Sequence, residues 1–331
     1  MTNASMQLSS ARIDYLRKRK KQKSKLHNYL LVFSVLAVLV FICLLIATIA
    51  NFDHLFGQTV TDHGQGSKTD TLSPDDLRDV TVSSEDTNKG SLILINQDHT
   101  YPRDLTPANL VSIFDGRDQI KGTSEYALKV SNQHLLLTDE ALSALNRMIN
   151  DFYAATEESN TIVTAAYRSY QDQENSGSSI PAGQSDSHAG LSVCLKVYKG
   201  EKTYLLKDEA VAANYRWIYD NAHKYGFIVR YPDNKASVTG VSDYDYFFRY
   251  VGVEHAYYIH ENDLCLEEYI SLLHERYTAE SPLEIRLPEE GKTYRVFYVP
   301  ATKDTTVLRM TETATYSGDN AGGFIVSIPN N

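Results

Sequence analysis

The sequence predicts an α+β protein, and three observations carry the prediction. Short runs rich in β-branched and aromatic residues, Thr161–Tyr167, Phe227–Tyr231 and Phe248–Gly252, read as strands. Segments of helical period lie among them, with Leu142, Leu145, Met148, Ile149 and Phe152 recurring on one face. Past Ser281-Pro282 the pattern turns to alternation in Leu283–Leu287, Tyr294–Val299, Thr305–Leu308 and Gly323–Ile328. That run predicts a small C-terminal β appendage over residues 281–331, with Ser317–Asn320 as a turn.

The 331 residues give room for about two domains. Residues 1–27 are polar and basic, with a cluster from Arg17 to Lys25. Leu30–Ala50 is apolar and uncharged, long enough to cross a hydrocarbon core of about 30 Å as a helix. Basic residues directly before it place the N-terminus in the cytoplasm and the folded part outside. A cleaved signal peptide competes, with Ala47 and Ala50 near a cleavage point. However, the basic region is too long, and the apolar run exceeds the usual ~7–15-residue signal core. The expectation is therefore a cytoplasmic tail over 1–27 and an uncleaved single-pass membrane helix over 28–50. Residues 51–90 are poor in large apolar side chains and are expected to be an extracytoplasmic tether with a reach of roughly 35 Å. Net charge is −10 despite the basic tail, so the folded part is acidic. That excludes a nucleic-acid partner, which needs clustered Lys and Arg.

Ser91 opens the folded part, and Leu92–Asn96 reads as a strand or an extended approach. Thr138 is the expected N-cap of a helix running to Tyr153. The strand Thr161–Tyr167 runs into Arg168-Ser169. A second helix, Tyr215–Tyr225, is stopped by Gly226, and the strand after it is closed by Pro232. Leu266–Tyr277 is the third helix. Cys43 lies in the apolar run, whereas Cys194 and Cys265 fall in a strand and at a helix start and are expected to be unpaired. There is no CxxC, so neither a zinc ribbon nor a thioredoxin-type site is indicated.

Three stretches carry chemistry. Ala166-Tyr167-Arg168-Ser169, followed by Gln173, ends a strand in an arginine whose planar fork suits a carboxylate. Ser185-Asp186-Ser187-His188-Ala189-Gly190-Leu191-Ser192-Val193-Cys194 comes next. The third is Tyr244-Asp245-Tyr246-Phe247-Phe248-Arg249-Tyr250-Val251-Gly252. From Leu92 to Tyr277 the chain resembles the VanY-like D-alanyl-D-alanine carboxypeptidases. That family shows Tyr-Arg-Ser, then Ser-x-His followed after two residues by Gly and after three more by Asp, then Glu-Pro-Trp-His before Phe-Arg-Tyr-Val-Gly.

The resemblance implies the family's fold, a small and mainly antiparallel sheet flanked by helices with a pocket on one face. It also implies zinc held by two His and one Asp, with Glu as general base. Here the ligand positions hold Ser187, Cys194 and Phe247, and the base position holds Tyr244. No catalytic residue and no zinc are therefore expected at these positions. His188 is one residue out of register, which in an extended segment points it to the opposite face. His188, Asp243 and Asp245, with Cys194 and His255, are the candidates for a rebuilt metal site. By resemblance, Arg168, Ser169, Gln173 and Ser185 are the expected substrate-binding residues. The implied protein is a membrane-anchored pseudopeptidase that binds a peptidoglycan stem peptide or a cell-wall protein without hydrolysis. An active carboxypeptidase with a rebuilt metal site is the alternative, and a structural interaction module is the third.

Overall fold

The computed structural model describes residues 76–330. The expected tail and membrane helix, and the tether as far as residue 75, lie outside the described residues. Among the described residues no helix is long and apolar enough to cross a membrane.

The main sheet runs, in spatial order, Leu128–Val130, Thr161–Ala165, Ser192–Lys199, Phe247–Tyr250 and Phe227–Val229. Lys202–Tyr204 folds back on Ser192–Lys199 as a hairpin. The first pair is parallel and the others are antiparallel, which gives the mixed α+β fold expected. One sheet face is apolar: Val163, Val193, Leu195, Val197 and Phe248 pack in one core with the helix Asp139–Thr156. That helix buries Leu142, Leu145, Met148, Ile149 and Phe152, the stripe its period predicts. Each such side chain contributes about 1.5–3 kcal/mol by leaving water. Thr138 is the N-cap by backbone, but its hydroxyl makes no capping bond; Asp139 and Glu140 supply the favourable charge of the first turn.

The expected helix Tyr215–Tyr225 is Ala212–Asn221 continued by a 3₁₀ turn, Ala222–Tyr225. Gly226 ends it at φ +86°, where a Cβ would lie 2.6 Å from the Tyr250 ring, so this turn needs glycine. Helices Val253–Glu261 and Leu266–Arg276 form a second core with Leu92, Leu94 and the β appendage.

Leu92–Asn96 joins no strand; Leu92 lies in a turn and Asn96 in a bend. Ile93 and Ile95 enter the main core while Leu92 and Leu94 enter the second. Its N–H groups find scattered partners: Leu92 donates to Ser317 Oγ at 2.9 Å, Leu94 to the Asp319 carbonyl at 2.9 Å and Asn96 to the His99 carbonyl at 3.1 Å, while side chains meet several carbonyls. Arg249 Nη2 donates to the carbonyls of Ser91 (2.9 Å) and Ile93 (3.0 Å), and Arg230 Nη2 donates to that of Ile95 (3.1 Å).

The appendage is a four-stranded antiparallel sheet ordered Leu283–Leu287, Lys292–Pro300, Gly323–Asn330 and Thr315–Gly318. Ser317 and Gly318, expected in a turn, instead close the last of these strands. One part of this sheet shares the second core with the two helices, so the appendage packs into the domain rather than hanging from it. The folded part also begins earlier than the sequence suggested. Arg78–Ser83, placed in the tether, is a strand paired with Thr305–Met310, with Val82 buried beside Leu308 and Met310. Cys194 and Cys265 are buried and free.

Candidate functional site

The central strand Ser192–Lys199 brings the matched positions together. Cys194 is flanked across the sheet by Ala165 on one side and Phe247 on the other. With Tyr231 these residues form a small apolar cluster of their own, against which Ile180, Val241, Tyr244 and Tyr246 pack. Cys194 is 7 % exposed and Phe247 5 %. Burial pushes the Cys194 thiol up to about 12, against the opposing charges of Arg168 and Lys196, so it is a neutral thiol at physiological pH. Tyr244 stacks on Tyr246 at 5.6 Å and meets the edge of Tyr231 at 6.3 Å. Ser187 lies buried in the 3₁₀ turn Asp186–Ala189, its carbonyl accepting from the Arg168 backbone N–H at 3.2 Å.

Zinc does not fit this set. A catalytic zinc needs about three donor side chains and an open position. The residues offer a hydroxyl, one thiol and a phenyl ring without a lone pair, so only Cys194 of the three could ligate the ion. Nor do the expected substitutes converge. His188 is buried between the rings of Tyr101 and Tyr170. Its Nδ1 bonds the Arg168 carbonyl at 2.8 Å and its Nε2 accepts from the Gly183 N–H at 3.0 Å, so both nitrogens are engaged and the tautomer is set. It is neither a surface histidine nor a free ligand. Asp243 is exposed at φ +61° and accepts from Ser242. Asp245 is held 3.0 Å from Lys207 Nζ and accepts from Tyr219. His255 belongs to the second core, bonded to the Tyr269 hydroxyl at 2.8 Å.

Of the four expected substrate-binding residues, three spend their polar groups internally. Ser169 caps the helix Tyr170–Asn175, accepting from the Asp172 N–H at 3.1 Å and donating to its carboxylate at 2.6 Å. Ser185 caps the Asp186–Ala189 turn. Gln173 is buried, accepting from Arg168 Nη1 at 3.2 Å and donating to the Ile180 carbonyl at 2.7 Å. Arg168 differs. It is half-buried, its backbone is fixed at both ends, and its side chain is steadied by a neutral amide. Among the described residues no carboxylate lies within ion-pair distance of its guanidinium.

A cleft of about 350 Å³ adjoins the apolar cluster, walled by Ile180, Gln184, Tyr231, Val241 and Tyr244, with Asn96 and Asp98 among the residues opposite. A larger cavity, about 710 Å³, is lined by Tyr101, Leu105, Glu140, Arg147 and Tyr250 and holds none of the expected metal-ligand, base or substrate-binding positions.

Beneath the site lies a charge network that the sequence did not disclose. Asp186, Arg230 and Arg249 are fully buried. Asp186 Oδ1 accepts from Arg249 Nη1 at 2.6 Å, and Arg230 Nε stands 3.3 Å away as a charge contact without a hydrogen bond. Ser192 Oγ donates to the other oxygen at 2.8 Å. Arg230 also forks onto Glu267 at 3.0 and 2.8 Å. Burial alone would raise the Asp186 carboxyl, but the two arginines outweigh it and hold it below the usual carboxylate range. A charged residue closing the apolar run Phe227–Val229 was the available signal for Arg230.

Comparison with known proteins bears on the family and the fold. The family model for VanY, D-alanyl-D-alanine carboxypeptidase, matches residues 174–253. A D-alanyl-D-alanine carboxypeptidase of Enterococcus faecium is 30% identical over 280 residues, covering 82% of this chain and 85% of that protein. The putative carboxypeptidase YodJ of Bacillus subtilis (strain 168) is 32% identical over 193 residues, covering 54% of this chain and 66% of that protein. The vancomycin-resistance D,D-dipeptidase VanXYg, solved with a D-Ala-D-Ala phosphinate analog, has a TM-score of 0.63 at 22% identity. It covers 77% of this chain and 99% of that chain, a likeness of fold.

Proposed function

The chain belongs to the VanY D-alanyl-D-alanine carboxypeptidase family, and from that premise we propose that it is a non-hydrolytic member that captures the terminal carboxylate of a peptidoglycan stem peptide. The observation that carries this reading is Arg168, a half-buried guanidinium beside the family's site with a fixed backbone and no carboxylate partner among the described residues. A guanidinium partly withdrawn from water and without a carboxylate partner gains from a ligand carboxylate, which its planar fork can bind through two hydrogen bonds. The apolar cluster around Cys194 and Phe247 supports binding over hydrolysis, because it offers one thiol where a catalytic zinc needs about three ligands and a base. The basic cluster and the apolar run at Leu30–Ala50 support a single-pass anchor with the folded part outside the membrane.

Calorimetry with a peptide ending in D-alanyl-D-alanine tests the reading. Wild type should bind the peptide, and Arg168→Ala should weaken binding by about 1.5–3 kcal/mol, the range for hydrogen bonds to charged groups, with little change in melting temperature. Unchanged binding with a lowered melting temperature would make Arg168 a structural residue. Chelator-sensitive release of D-alanine by wild type would make the protein a live enzyme. For topology, protease added to intact cells should remove the folded part and spare the tail; protection of the folded part would refute the anchor.

A further inference from the structure

A cluster of metal-binding side chains lies away from the family's expected ligand positions Ser187, Cys194 and Phe247. The 3₁₀ turn Ala222–Tyr225 supplies His223, and the helix Val253–Glu261 ends in His260 and Glu261. One ligand atom from each of the three lies within 4.8 Å of the others. His223 is only 7 % exposed, and its Nδ1 is buried with no hydrogen-bond partner. Its ring stacks on that of His260 at 3.9 Å and 7°. A buried imidazole nitrogen without a partner is rare enough in a folded protein to ask for one. His260 and Glu261 are exposed, so an ion can reach the cluster from solvent.

We propose that His223, His260 and Glu261 form a binding site for a divalent transition ion of the zinc class. Two imidazoles and one carboxylate are a donor set of borderline softness, which suits zinc and its neighbours and not calcium or magnesium, whose sites are built from oxygens. Three protein ligands leave a fourth position for water. A ligand imidazole must be neutral, and burial together with the neighbouring His260 pushes His223 down to about 4, so it stays neutral at physiological pH. The parallel stack directs the two lone pairs along parallel planes, so the ring of His260 must turn edge-on to take the ion. An exposed side chain makes such a rotation on the picosecond to nanosecond scale. The bound ion would clip the end of Val253–Glu261 to the turn before Gly226. The hairpin turn bearing Glu289 lies alongside, tied to the same 3₁₀ turn by Lys224 and Glu289 at 2.6 Å.

Zinc and cobalt(II) titrations of the purified full chain near pH 7 test the site. Wild type should take one equivalent, and the cobalt form should show the visible band of a four-coordinate site. Zinc at about a hundredfold over its dissociation constant should raise the melting temperature by about 5 °C. His260→Ala changes an exposed residue and should fold normally. It should lose more than tenfold in affinity, since even outer partners of a metal ligand cost about 10–100-fold, and it should lose the zinc-dependent melting shift. Glu261→Gln should weaken binding while leaving the metal-free melting temperature unchanged. The proposal falls if wild type takes up no zinc, or if His260→Ala binds it as tightly as wild type. It also falls if Cys194→Ser, and not His260→Ala, abolishes uptake, which would place the ion at the family's centre.

Discussion

Two consecutive cross-strand pairs on one sheet face have taken opposite chemistries. Ser192 faces Arg249, and two residues along Cys194 faces Phe247. The first pair belongs to a fully buried ionic network in which Asp186 is held by Ser192, Arg249 and Arg230. The second belongs to an apolar cluster that charges touch only across ring faces, Arg230 at 4.7 Å from the Tyr231 ring centre and Lys196 at 4.8 Å from that of Tyr246 among the described residues. The network organises the scaffold: its arginines satisfy carbonyls of the segment Ser91–Ile95, and Arg230 and Glu267 tie the sheet to the helix Leu266–Arg276. Removing any member strands buried charges, so it persists whether or not chemistry is done nearby. The Cys194–Phe247 pair bears no such constraint. Without a metal, apolar side chains fill its place at no electrostatic cost. On the proposed non-hydrolytic reading, the family scaffold is kept while apolar side chains occupy the expected ligand positions.

The largest effect expected is in the network. Asp186→Ala leaves two guanidinium groups buried against one remaining carboxylate and should destabilise the fold by about 3–5 kcal/mol in denaturant unfolding. A loss below about 1 kcal/mol would mean that the network is not what holds the scaffold. Its pH dependence has a fixed sign. Asp186 and Glu267 are both depressed in the folded state; burial opposes this, and the facing arginines prevail. Their contribution is therefore complete above the unfolded carboxylate values near 4 and is lost as pH falls through the depressed folded values.

A carboxylate placed at Cys194, two residues along the strand from Ser192, should behave in the opposite sense. In the thiol of Cys194, burial outweighs the charges of Arg168 and Lys196. The same balance acting on Cys194→Asp raises its carboxyl above the unfolded value. Stability is then least affected in acid and falls as pH rises past about 4, by about 3 kcal/mol at neutral pH, the upper range for a buried group without a partner. Melting curves at several pH values distinguish the two positions. A variant whose stability rises with pH would mean that Arg168 already pairs with this position and that the patch is less apolar than its neighbours suggest.

How much of this was legible in the sequence depends on how far apart the cooperating residues lie. Arg249-Tyr250-Val251-Gly252 and Leu191-Ser192-Val193 are local runs, and the resemblance rests on their register when it sets Phe247 and Cys194 against the family's ligand positions. That the two side chains face each other across the sheet is a long-range fact, and the strand pairing supplies it. The stripe of the long helix was legible because it too is local. Arg78–Ser83 was not, because a short polar strand shows its purpose only beside Thr305–Met310, far along the chain. The roles of polar residues were the hardest to read. His188 has the composition of a ligand, and only the positions of the Gly183 N–H and the Arg168 carbonyl show that both its nitrogens are taken. Ser169 sits in the family's Tyr-Arg-Ser strand end, yet its hydroxyl also heads a short helix, and sequence alone does not say which use prevails.

That last ambiguity yields the smallest prediction. If Ser169 is a cap, Ser169→Ala removes the acceptor for the Asp172 N–H at the start of a six-residue helix and should cost about 1 kcal/mol of stability. Peptide binding should be nearly unchanged, because Arg168 is held by its own backbone bonds and by Gln173, which is anchored to the Ile180 carbonyl. If Ser169 instead meets the ligand, the pattern reverses: affinity falls while the melting temperature holds. Measuring both on one variant separates a residue that shapes the pocket from one that touches what enters it. A result of the second kind would extend the proposed carboxylate site from one arginine to an arginine–serine pair.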